Sequence, residues 1–401
     1  MIEILALPVL ALTAALVPKR RMKDKVKIQQ VFENRGLGIK KDDEMLYPIL
    51  LNDTHKDTHS TYIYSLPLGL SSDHFEALLP AIEEGINKDC ATEFADGVMK
   101  LKAYREALPK SWNYDDGLLR PGKWLVPIGK NQEGILYHDF EKYPHMLVGG
   151  VTRFGKTVFI KEAFYTLLLN QMEHAEFYFL DLKGGLEFGK YIGLPQVKGV
   201  AADLYGSVEL LSTIHEDLKR REKLFRKNGY TNIIDTPIKK RTFIIVDEGA
   251  ELSPNLLTGE LKKYANYCQQ TLSEIARIGE GIGYRMLFCT QYPVKEAVPM
   301  QIKMNIVARL SFIAAAQISS RVILDENGAE ELPAIPGRAI YKVEKKRTVQ
   351  VPYITDKYMF EKMGEREHDI LNAAVPNGDV VNDDRPVGYG HDQASSWNTR
   401  S

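Results

Sequence analysis

The sequence predicts an α/β protein whose larger part is a mostly parallel β-sheet with helices on both faces. Two observations predict this fold class. From about Trp124, apolar runs without strict alternation follow one another, separated by segments of helical character. Strands of a parallel sheet that is covered on both faces have this continuous apolar pattern. The runs are residues 146–148, 177–180, 243–246, 286–289 and 306–308.

Composition limits the class of protein further. Hydrophobic residues make up 44% of the 401 residues, an ordinary value for a chain with a folded core. The 52 basic and 53 acidic residues give a net charge of -1, which excludes a wholly basic nucleic-acid binder but not a local basic surface. Cys90, Cys268 and Cys289 lie far apart. A disulfide scaffold or a zinc ribbon is therefore excluded, and a reducing compartment is indicated.

The first element in chain order is an N-terminal hydrophobic segment, residues 1–18. Residues 4–17 are apolar apart from Thr13, and six basic residues follow between Lys19 and Lys27. Because the positive charge comes after the apolar run, the order is the reverse of a secretory signal peptide. It predicts a short membrane anchor with the bulk of the protein in the cytoplasm. A spanning helix needs about 20 apolar residues, so an N-terminal core or interfacial helix stays open as the alternative.

A small α+β domain is predicted next, over residues 19–120. Residues 61–66 alternate like a half-buried strand, and residues 73–86 have the apolar spacing of an amphipathic helix. The turn residues Pro121 and Gly122 mark the boundary to the larger domain, residues 121–355. The chain ends in an extension, residues 356–401, whose last part from residue 377 is rich in Asn, Asp, Gly and Ser and is predicted to be disordered.

A phosphate-binding loop follows directly after the strand predicted at residues 146–148. Its sequence satisfies the pattern G-x-x-x-x-G-K-[ST], and a helical segment continues from it. Glycines let the backbone N–H groups wrap a phosphate, and the helix N-terminus adds positive potential. Lys156 is expected to reach the β- and γ-phosphates of ATP, and the Thr157 hydroxyl to bind Mg²⁺. The predicted nucleotide-binding residues are Gly150, Val151, Thr152, Arg153, Phe154, Gly155, Lys156, Thr157 and Asp247.

Two carboxylates end the apolar run at residues 243–246. Ligands bind at the carboxyl ends of the strands in open α/β sheets, so Asp247 and Glu248 are expected at that edge. Asp247 is expected in the Mg²⁺ shell, and Glu248 is expected to orient and deprotonate the attacking water. Gln291 follows the run at residues 286–289 and is a candidate sensor of the γ-phosphate; an ordinary strand-end turn stays open as the alternative.

Several sequence blocks together resemble the FtsK/SpoIIIE family of hexameric DNA-translocating ATPases. The order and spacing of these blocks match the family's motor domain over about residues 124–353. The block around Arg321 is much more specific to the family than a phosphate-binding loop alone. The blocks are residues 144–150 leading into the phosphate-binding loop, 245–248, 274–283 running into 290–293, and 319–325 with 328–330.

The resemblance implies a RecA-like P-loop NTPase motor that uses ATP and Mg²⁺ and works as a homohexamer. It also implies a finger arginine acting on the neighbouring subunit. Glu280 stands where the family frequently has an arginine, which leaves Arg277 and Arg321 as candidates. Residues 180–188 and the Thr-Arg-Phe within the phosphate-binding loop resemble the coupling-protein branch of Gram-positive conjugative elements. That branch implies DNA, a relaxase and type IV secretion channel subunits as partners.

A DNA contact is predicted at two lysines. Lys262 and Lys263 follow a loop that could line the channel of a hexamer and touch the phosphate backbone. Delivery of DNA to a conjugative channel is the leading hypothesis for the function. A double-stranded DNA pump for chromosome or plasmid segregation, a secretion ATPase that moves polypeptide, and a non-enzymatic membrane adaptor of a DNA-transfer complex are the alternatives.

Overall fold

The computed structural model describes residues 22–291 and 297–364. The predicted anchor at residues 4–17 and the predicted tail from residue 377 lie outside this part of the chain, as do residues 292 and 293 of the family blocks. Across residues 22–291 and 297–364, every helix is too short or too polar to cross a membrane. The described residues up to Ile354 form one compact unit. A helix over residues 356–364 belongs to a second unit.

The main sheet holds ten strands of the described chain. In spatial order they run β11, β10, β12, β13, β9, β14, β15, β16, β7, β8. From β11 to β14 neighbouring strands are parallel, and the remaining pairs are antiparallel, so the prediction of a mostly parallel sheet is confirmed. The strands are β7 Leu125–Asn131, β8 Gly134–Asp139, β9 His145–Gly149, β10 Ala175–Leu180, β11 Val197–Ala201, β12 Arg241–Val246, β13 Tyr284–Thr290, β14 Ala308–Phe312, β15 Arg338–Lys342 and β16 Lys346–Gln350.

The predicted apolar runs fall on these parallel strands with one exception. The run at residues 306–308 overlaps β14 only at Ala308, and the strand continues through Arg309 and Ser311. Both polar residues are buried with partners: the Arg309 guanidinium donates to the carbonyl of Ile323 at 2.9 Å, and the Ser311 hydroxyl to that of Phe312 at 3.0 Å. A strand with satisfied polar residues does not give an apolar run, which is why the predicted position was wrong.

Helices connect the parallel strands. The longest of them is α5, Leu204–Asn228. The Asp203 side chain caps its N-terminus by accepting from the backbone N–H of Gly206, and Gly229 ends the helix in the left-handed conformation. Leu211, Leu218 and Phe225 lie on its buried face. The helices are α4 Lys156–Asn170, α5 Leu204–Asn228, α6 Gly259–Glu274, α7 Met300–Asn305 and α8 Gln317–Leu324, and a π-helical turn, Ile275–Gly279, follows α6 directly.

Before the main sheet the chain builds a separate four-stranded antiparallel sheet in the order β3, β4, β6, β5. Its apolar core includes Phe32, Tyr64 and Phe75, and the Phe32 ring packs edge-on against the other two. The strand predicted at residues 61–66 is confirmed as β4. The elements are α1 Asp24–Asn34, β1 Ile39–Lys41, β2 Glu44–Leu46, β3 Ile49–His55, β4 His59–Ser65, α2 Ser72–Glu76, α3 Leu79–Ile86, β5 Cys90–Ala95 and β6 Val98–Tyr104.

The single helix predicted over residues 73–86 is wrong, because two helices occupy this stretch. α2 ends at Glu76, and α3 begins at Leu79 with Pro80 in its first turn. Proline has no backbone N–H and its ring clashes with the carbonyl four residues earlier, so it breaks a helix interior but suits a first turn. The apolar spacing is continuous across the break, which is why it predicted one helix.

Candidate nucleotide site

The phosphate-binding loop joins the end of β9 to the start of α4, as predicted. Gly150 has φ 141° and Gly155 has φ 117°, conformations that residues with a Cβ rarely adopt. A Cβ on Gly150 would lie 2.6 Å from the Cβ of Phe312, and one on Gly155 would lie 3.2 Å from the backbone nitrogen of Gly337. The two glycines are therefore required by the close packing of the loop on β14 and on the residues before β15.

One face of the loop lines a cavity of about 400 Å³. The α4 N-terminus also faces this cavity, and a helix N-terminus favours a phosphate. Phe154 is half-buried, and its carbonyl oxygen accepts from the backbone N–H of Gly337 at 2.9 Å, so this residue is part of the loop's support. The loop residues that line the cavity are Val151, Thr152, Arg153, Gly155, Lys156 and Thr157.

The predicted catalytic lysine and the two predicted carboxylates meet. The Lys156 ammonium donates to the backbone oxygen of Asp247 at 2.9 Å and lies 3.5 Å from Glu248 Oε2 and 3.7 Å from Asp247 Oδ1. All three side chains are buried. Burial lowers the pKa of Lys156, and the negative charges of Asp247 and Glu248 oppose that shift. Residues from two separate motifs thus form one buried charge cluster beside the phosphate-binding loop.

Glu248 is fixed by the end of the next strand, β13. Its Oε1 accepts from the Thr290 hydroxyl at 2.8 Å, and the backbone N–H of Gln291 lies 3.1 Å and 3.0 Å from the two carboxylate oxygens. Gln291 was predicted as an amide sensor of the γ-phosphate. Its backbone N–H makes the contact to Glu248, while the residue itself lines the cavity. A shift of the β13 end would therefore move Glu248 directly.

Asp247 has one carboxylate oxygen that accepts no hydrogen bond and has only the Lys156 ammonium, 3.7 Å away, as an ionic neighbour among the described residues. Its Oδ1 is buried and has no hydrogen-bond partner, whereas Oδ2 accepts from the Lys183 ammonium at 3.2 Å. Thr157 lies in the first turn of α4 and lines the same cavity. A hydroxyl, a carboxylate oxygen and substrate phosphates are the ligands that Mg²⁺ takes in such sites. The residues present therefore fit Mg²⁺, with Thr157 and Asp247 to hold it.

Lys183 is a site residue that the sequence reasoning missed. Its ammonium also lies 3.8 Å from Glu248 Oε2, so it joins the same charge cluster. It follows the end of β10, which pairs in parallel with β12, the strand that carries Asp247. Asp181 fixes the turn because its Oδ2 accepts from the backbone N–H groups of Glu187 and Phe188, both at 2.9 Å. The sequence feature that could have identified it is the position of a lysine just after a strand of the parallel sheet.

The remaining candidates lie outside this cluster. Arg277 is exposed on the π-helical turn, and Arg321 is exposed on α8, where its Nε donates to Asn327 Oδ1 at 2.7 Å. Lys262 and Lys263 are exposed in the first turns of α6. In the described chain, these four side chains are not among the contacts of Lys156, Asp247 and Glu248. Roles at a second subunit or at DNA stay predictions for them.

A phosphate-binding loop between a central parallel strand and a helix, with two carboxylates ending a nearby strand, defines a P-loop ATPase domain. Residues 119–309 match the model of the FtsK/SpoIIIE family. This segment of the chain is therefore similar to that family, in agreement with the resemblance of the sequence blocks that lie within it.

Similar proteins are DNA translocases by name. The chain is 27% identical over 252 residues to the DNA translocase FtsK of Lactiplantibacillus plantarum, covering 58% of this chain and 30% of that protein. It is 30% identical over 258 residues to FtsK of Corynebacterium efficiens, covering 58% and 26%. It is 27% identical over 228 residues to the DNA translocase SpoIIIE of Bacillus subtilis, covering 52% and 28%. The chain thus matches about a third or less of these relatives' length.

Solved structures share the fold. The conjugation coupling protein TcpA of pCW3, in its monomer form with ATPγS, superposes with a TM-score of 0.63 at 23% identity, covering 86% of this chain and all of that one. The cytoplasmic domain of the type VII secretion ATPase EccC of Thermomonospora curvata superposes with a TM-score of 0.51 at 24% identity, covering 61% and 31%.

Proposed function

We propose that this chain is an ATP-driven DNA translocase that acts as a coupling protein and delivers DNA to a conjugative type IV secretion channel. The observation that carries the ATPase part is the meeting of Lys156 with Asp247 and Glu248 beside the phosphate-binding loop. The match of residues 119–309 to the FtsK/SpoIIIE family model supports the translocase part. Conjugation is supported by the fold likeness to TcpA, which extends well beyond residues 119–309.

In the proposed reaction the loop backbone and Lys156 would hold the phosphates of ATP, and Thr157 and Asp247 would hold Mg²⁺. Bound Mg²⁺ neutralises charge on the phosphate oxygens. Glu248 orients a water molecule and accepts its proton as the water attacks the γ-phosphorus, while ADP leaves. Lys156 has to give up its contact with Glu248 to reach the phosphates. The same move frees Glu248 to act as a base.

The exposed arginines are proposed to act on a neighbouring subunit of a hexamer. An arginine supplied by a neighbour stabilises the charge that develops on the phosphate, which accounts for about 10³ or more in rate. Arg277→Ala and Arg321→Ala should be tested separately. A finger variant mixed with Lys156→Ala protein should regain ATPase activity, because each mixed ring contains intact composite sites. If neither variant is rescued by mixing, the trans role is wrong.

The DNA contact is proposed at Lys262 and Lys263. Each phosphate contact adds about one to the slope of the logarithm of affinity against the logarithm of salt concentration. A variant with both lysines changed to alanine should lower that slope by up to about two units for every DNA sequence tested. The exposed Lys239→Ala is the matched control. An unchanged slope would exclude these lysines.

Membrane attachment is proposed for the apolar segment at residues 4–17. The full chain expressed in a bacterial host should sediment with membranes and resist extraction by salt but not by detergent. Replacing two of its leucines by lysine should release the protein into the supernatant. If salt alone extracts the wild-type chain, the segment lies on the surface or within the fold.

The central experiment measures ATP hydrolysis by the full chain with and without DNA. DNA should stimulate turnover, and Lys156→Ala should abolish it, whereas the exposed Lys130→Ala should not. ATPase activity that is indifferent to single- and double-stranded DNA would exclude the translocase. Complementation of a deletion in a conjugative host then tests the coupling role: wild type should restore transfer and Lys156→Ala should not.

The names of the relatives favour one second candidate, a double-stranded DNA pump for segregation. A deletion that leaves conjugative transfer intact but disturbs partitioning of the chromosome or plasmid would support this candidate over the coupling protein.

A further inference from the structure

The cavity at the phosphate-binding loop extends beyond the residues that face phosphate. Its lining also includes Trp112, Pro336 and Tyr353, together with residues 350–352. These segments lie on both sides of the match to the family model at residues 119–309. Lys110 and Ser111 complete the rim. Trp112, Pro336, Tyr353 and residues 350–352 form what we call the aromatic end of the cavity, and the phosphate-binding loop forms another part of its lining.

One buried guanidinium holds the walls of the aromatic end together. Arg338 Nε donates to Gln350 Oε1 at 3.1 Å, and its NH2 donates to the carbonyl oxygen of Pro109 at 2.9 Å. The Gln350 amide in turn donates to the carbonyl oxygen of Pro336 at 2.8 Å. The backbone N–H of Tyr353 donates to the Trp112 carbonyl at 2.7 Å. The segments at residues 109–112, 336–338 and 350–353 are thus fixed relative to one another by hydrogen bonds before any ligand binds.

We propose that this end of the cavity is the nucleobase subsite, in which the purine ring of the bound nucleotide packs against Trp112. The proposal rests on the proposed function, because it needs a nucleoside triphosphate at the loop. A volume of about 400 Å³ suits a small molecule of this size. A flat aromatic base is the part of the nucleotide that an apolar wall with an indole ring recognises.

The contacts of the Gln350 amide indicate that the edge of the base is not read by this side chain. Its oxygen and its nitrogen are both engaged inside the wall, by Arg338 and Pro336, so this side chain is not available to read the edge of the base. Packing against the face of the base is tolerant because every base has an aromatic face. Removal of the Trp112 ring should therefore weaken ATP and GTP by similar factors.

The subsite also gives a role to the stretch between the two sheets. Trp112 lies between β6 and β7, so a nucleotide that packs on it contacts the segment that joins the four-stranded sheet to the main sheet. The position of that segment would then depend on the occupancy of the site.

The test uses Trp112→Ala in the full chain and compares two ligands, ATP and inorganic tripolyphosphate, by displacement of a fluorescent ATP analogue. Loss of an aromatic stacking partner weakens base binding by about tenfold or more. ATP and GTP affinity should fall by about that factor, while tripolyphosphate affinity should change by less than about twofold. Trp112→Phe should retain most of the ATP affinity. The exposed Tyr205→Ala on α5 is the matched control.

Each outcome supports or contradicts either the nucleobase subsite or the proposed function. Unchanged ATP affinity in Trp112→Ala, or equal weakening of ATP and tripolyphosphate, would overturn the subsite. Retention in Trp112→Phe distinguishes base packing from loss of folding. If wild type binds neither ATP nor tripolyphosphate, the proposed function fails instead. As an independent readout, ATP but not tripolyphosphate should change the indole fluorescence of Trp112 in a variant whose other two tryptophans are phenylalanine. An equal change with tripolyphosphate would contradict base packing.

Discussion

Glu248→Gln should make this protein bind ATP more tightly while it hydrolyses ATP far more slowly. Glu248 has two separate contacts in the structure. Oε1 accepts from the Thr290 hydroxyl, both oxygens share the backbone N–H of Gln291, and Oε2 also lies 3.5 Å from the Lys156 ammonium. Glutamine can keep its oxygen towards the Thr290 hydroxyl and the Gln291 N–H. Its amide nitrogen then replaces Oε2, which loses the shared contact with the Gln291 N–H on that side and the attraction that holds Lys156 away from the phosphates.

The size of the effect follows from that distance. Two unit charges 3.5 Å apart attract by about 5 kcal/mol at an effective dielectric constant of about 20. Most of this is offset by desolvation, and hydrogen bonds to charged groups contribute a net of about 1.5–3 kcal/mol. Lys156 keeps its contact with the backbone oxygen of Asp247, so we take the lower value. About 1.4 kcal/mol corresponds to a tenfold change, and ATP affinity should therefore rise about tenfold.

Hydrolysis should fall for a different reason. An amide cannot accept the proton of the attacking water, and general-base catalysis contributes about 10²–10⁴ in rate. Affinity is measured by titration with a fluorescent ATP analogue and turnover by phosphate release. The exposed Glu251→Gln, three residues along the chain, is the matched control for the change in charge. Weaker or unchanged ATP binding in a folded Glu248→Gln protein would refute the competition between Glu248 and phosphate for Lys156.

Three further predictions concern stability. Lys183→Met should lower the free energy of unfolding in urea by about 1–3 kcal/mol, since a buried carboxylate oxygen loses its hydrogen-bond donor; an unchanged midpoint would contradict this. Burial raises the pKa of Glu162 well above its ordinary value, so the protonated form is favoured in the fold, and stability is lost as pH rises from the unfolded-state pKa of about 4.5 towards the folded one. Glu162→Gln should therefore raise the melting temperature more at pH 8 than at pH 5, and equal shifts would contradict the assignment. Gly150→Ala should destabilise the fold by at least about 1 kcal/mol more than Gly134→Ala, because both have positive φ but only the first would bring a Cβ to 2.6 Å from Phe312; equal losses would exclude the clash.

The sequence predicts the centre of the site well for a geometric reason. Parallel strands present their carboxyl ends at one edge, so the residues after β9, β12 and β13 have to converge there. Lys156, Glu248 and Gln291 could be named on that basis. The same reasoning would have found Lys183 after β10, had the stretch at residues 180–188 been interpreted by strand ends and not only as a family signature. The use of the Gln291 backbone N–H was beyond prediction, because a sequence pattern does not specify main-chain contacts.

The two errors in the predicted fold, at residues 73–86 and 306–308, each depend on single residues that the hydrophobic pattern does not register. The spacing of apolar residues cannot register a break such as the one before Pro80, because the apolar face continues across it. Nor can it detect β14, where buried Arg309 depends on Asp325, 2.6 Å away and reached only after the chain has passed through α8. Hydrophobic patterning predicts elements whose burial is purely apolar. It fails where burial is compensated by a partner that is distant in sequence.

Residues before 119 make hydrogen bonds to the larger domain that could not be predicted from the sequence. Tyr114 is buried, its hydroxyl lies 2.9 Å from the Thr166 hydroxyl of α4, and its backbone N–H donates to the Tyr353 carbonyl at 2.9 Å. Arg338 NH2 donates to the carbonyl oxygen of Pro109 at 2.9 Å. Turn residues at 121–122 predicted the boundary there, yet these contacts lie earlier. We therefore propose that the motor begins before Pro109, so that the segment carrying Trp112 is a wall of the nucleotide site and not a linker to it.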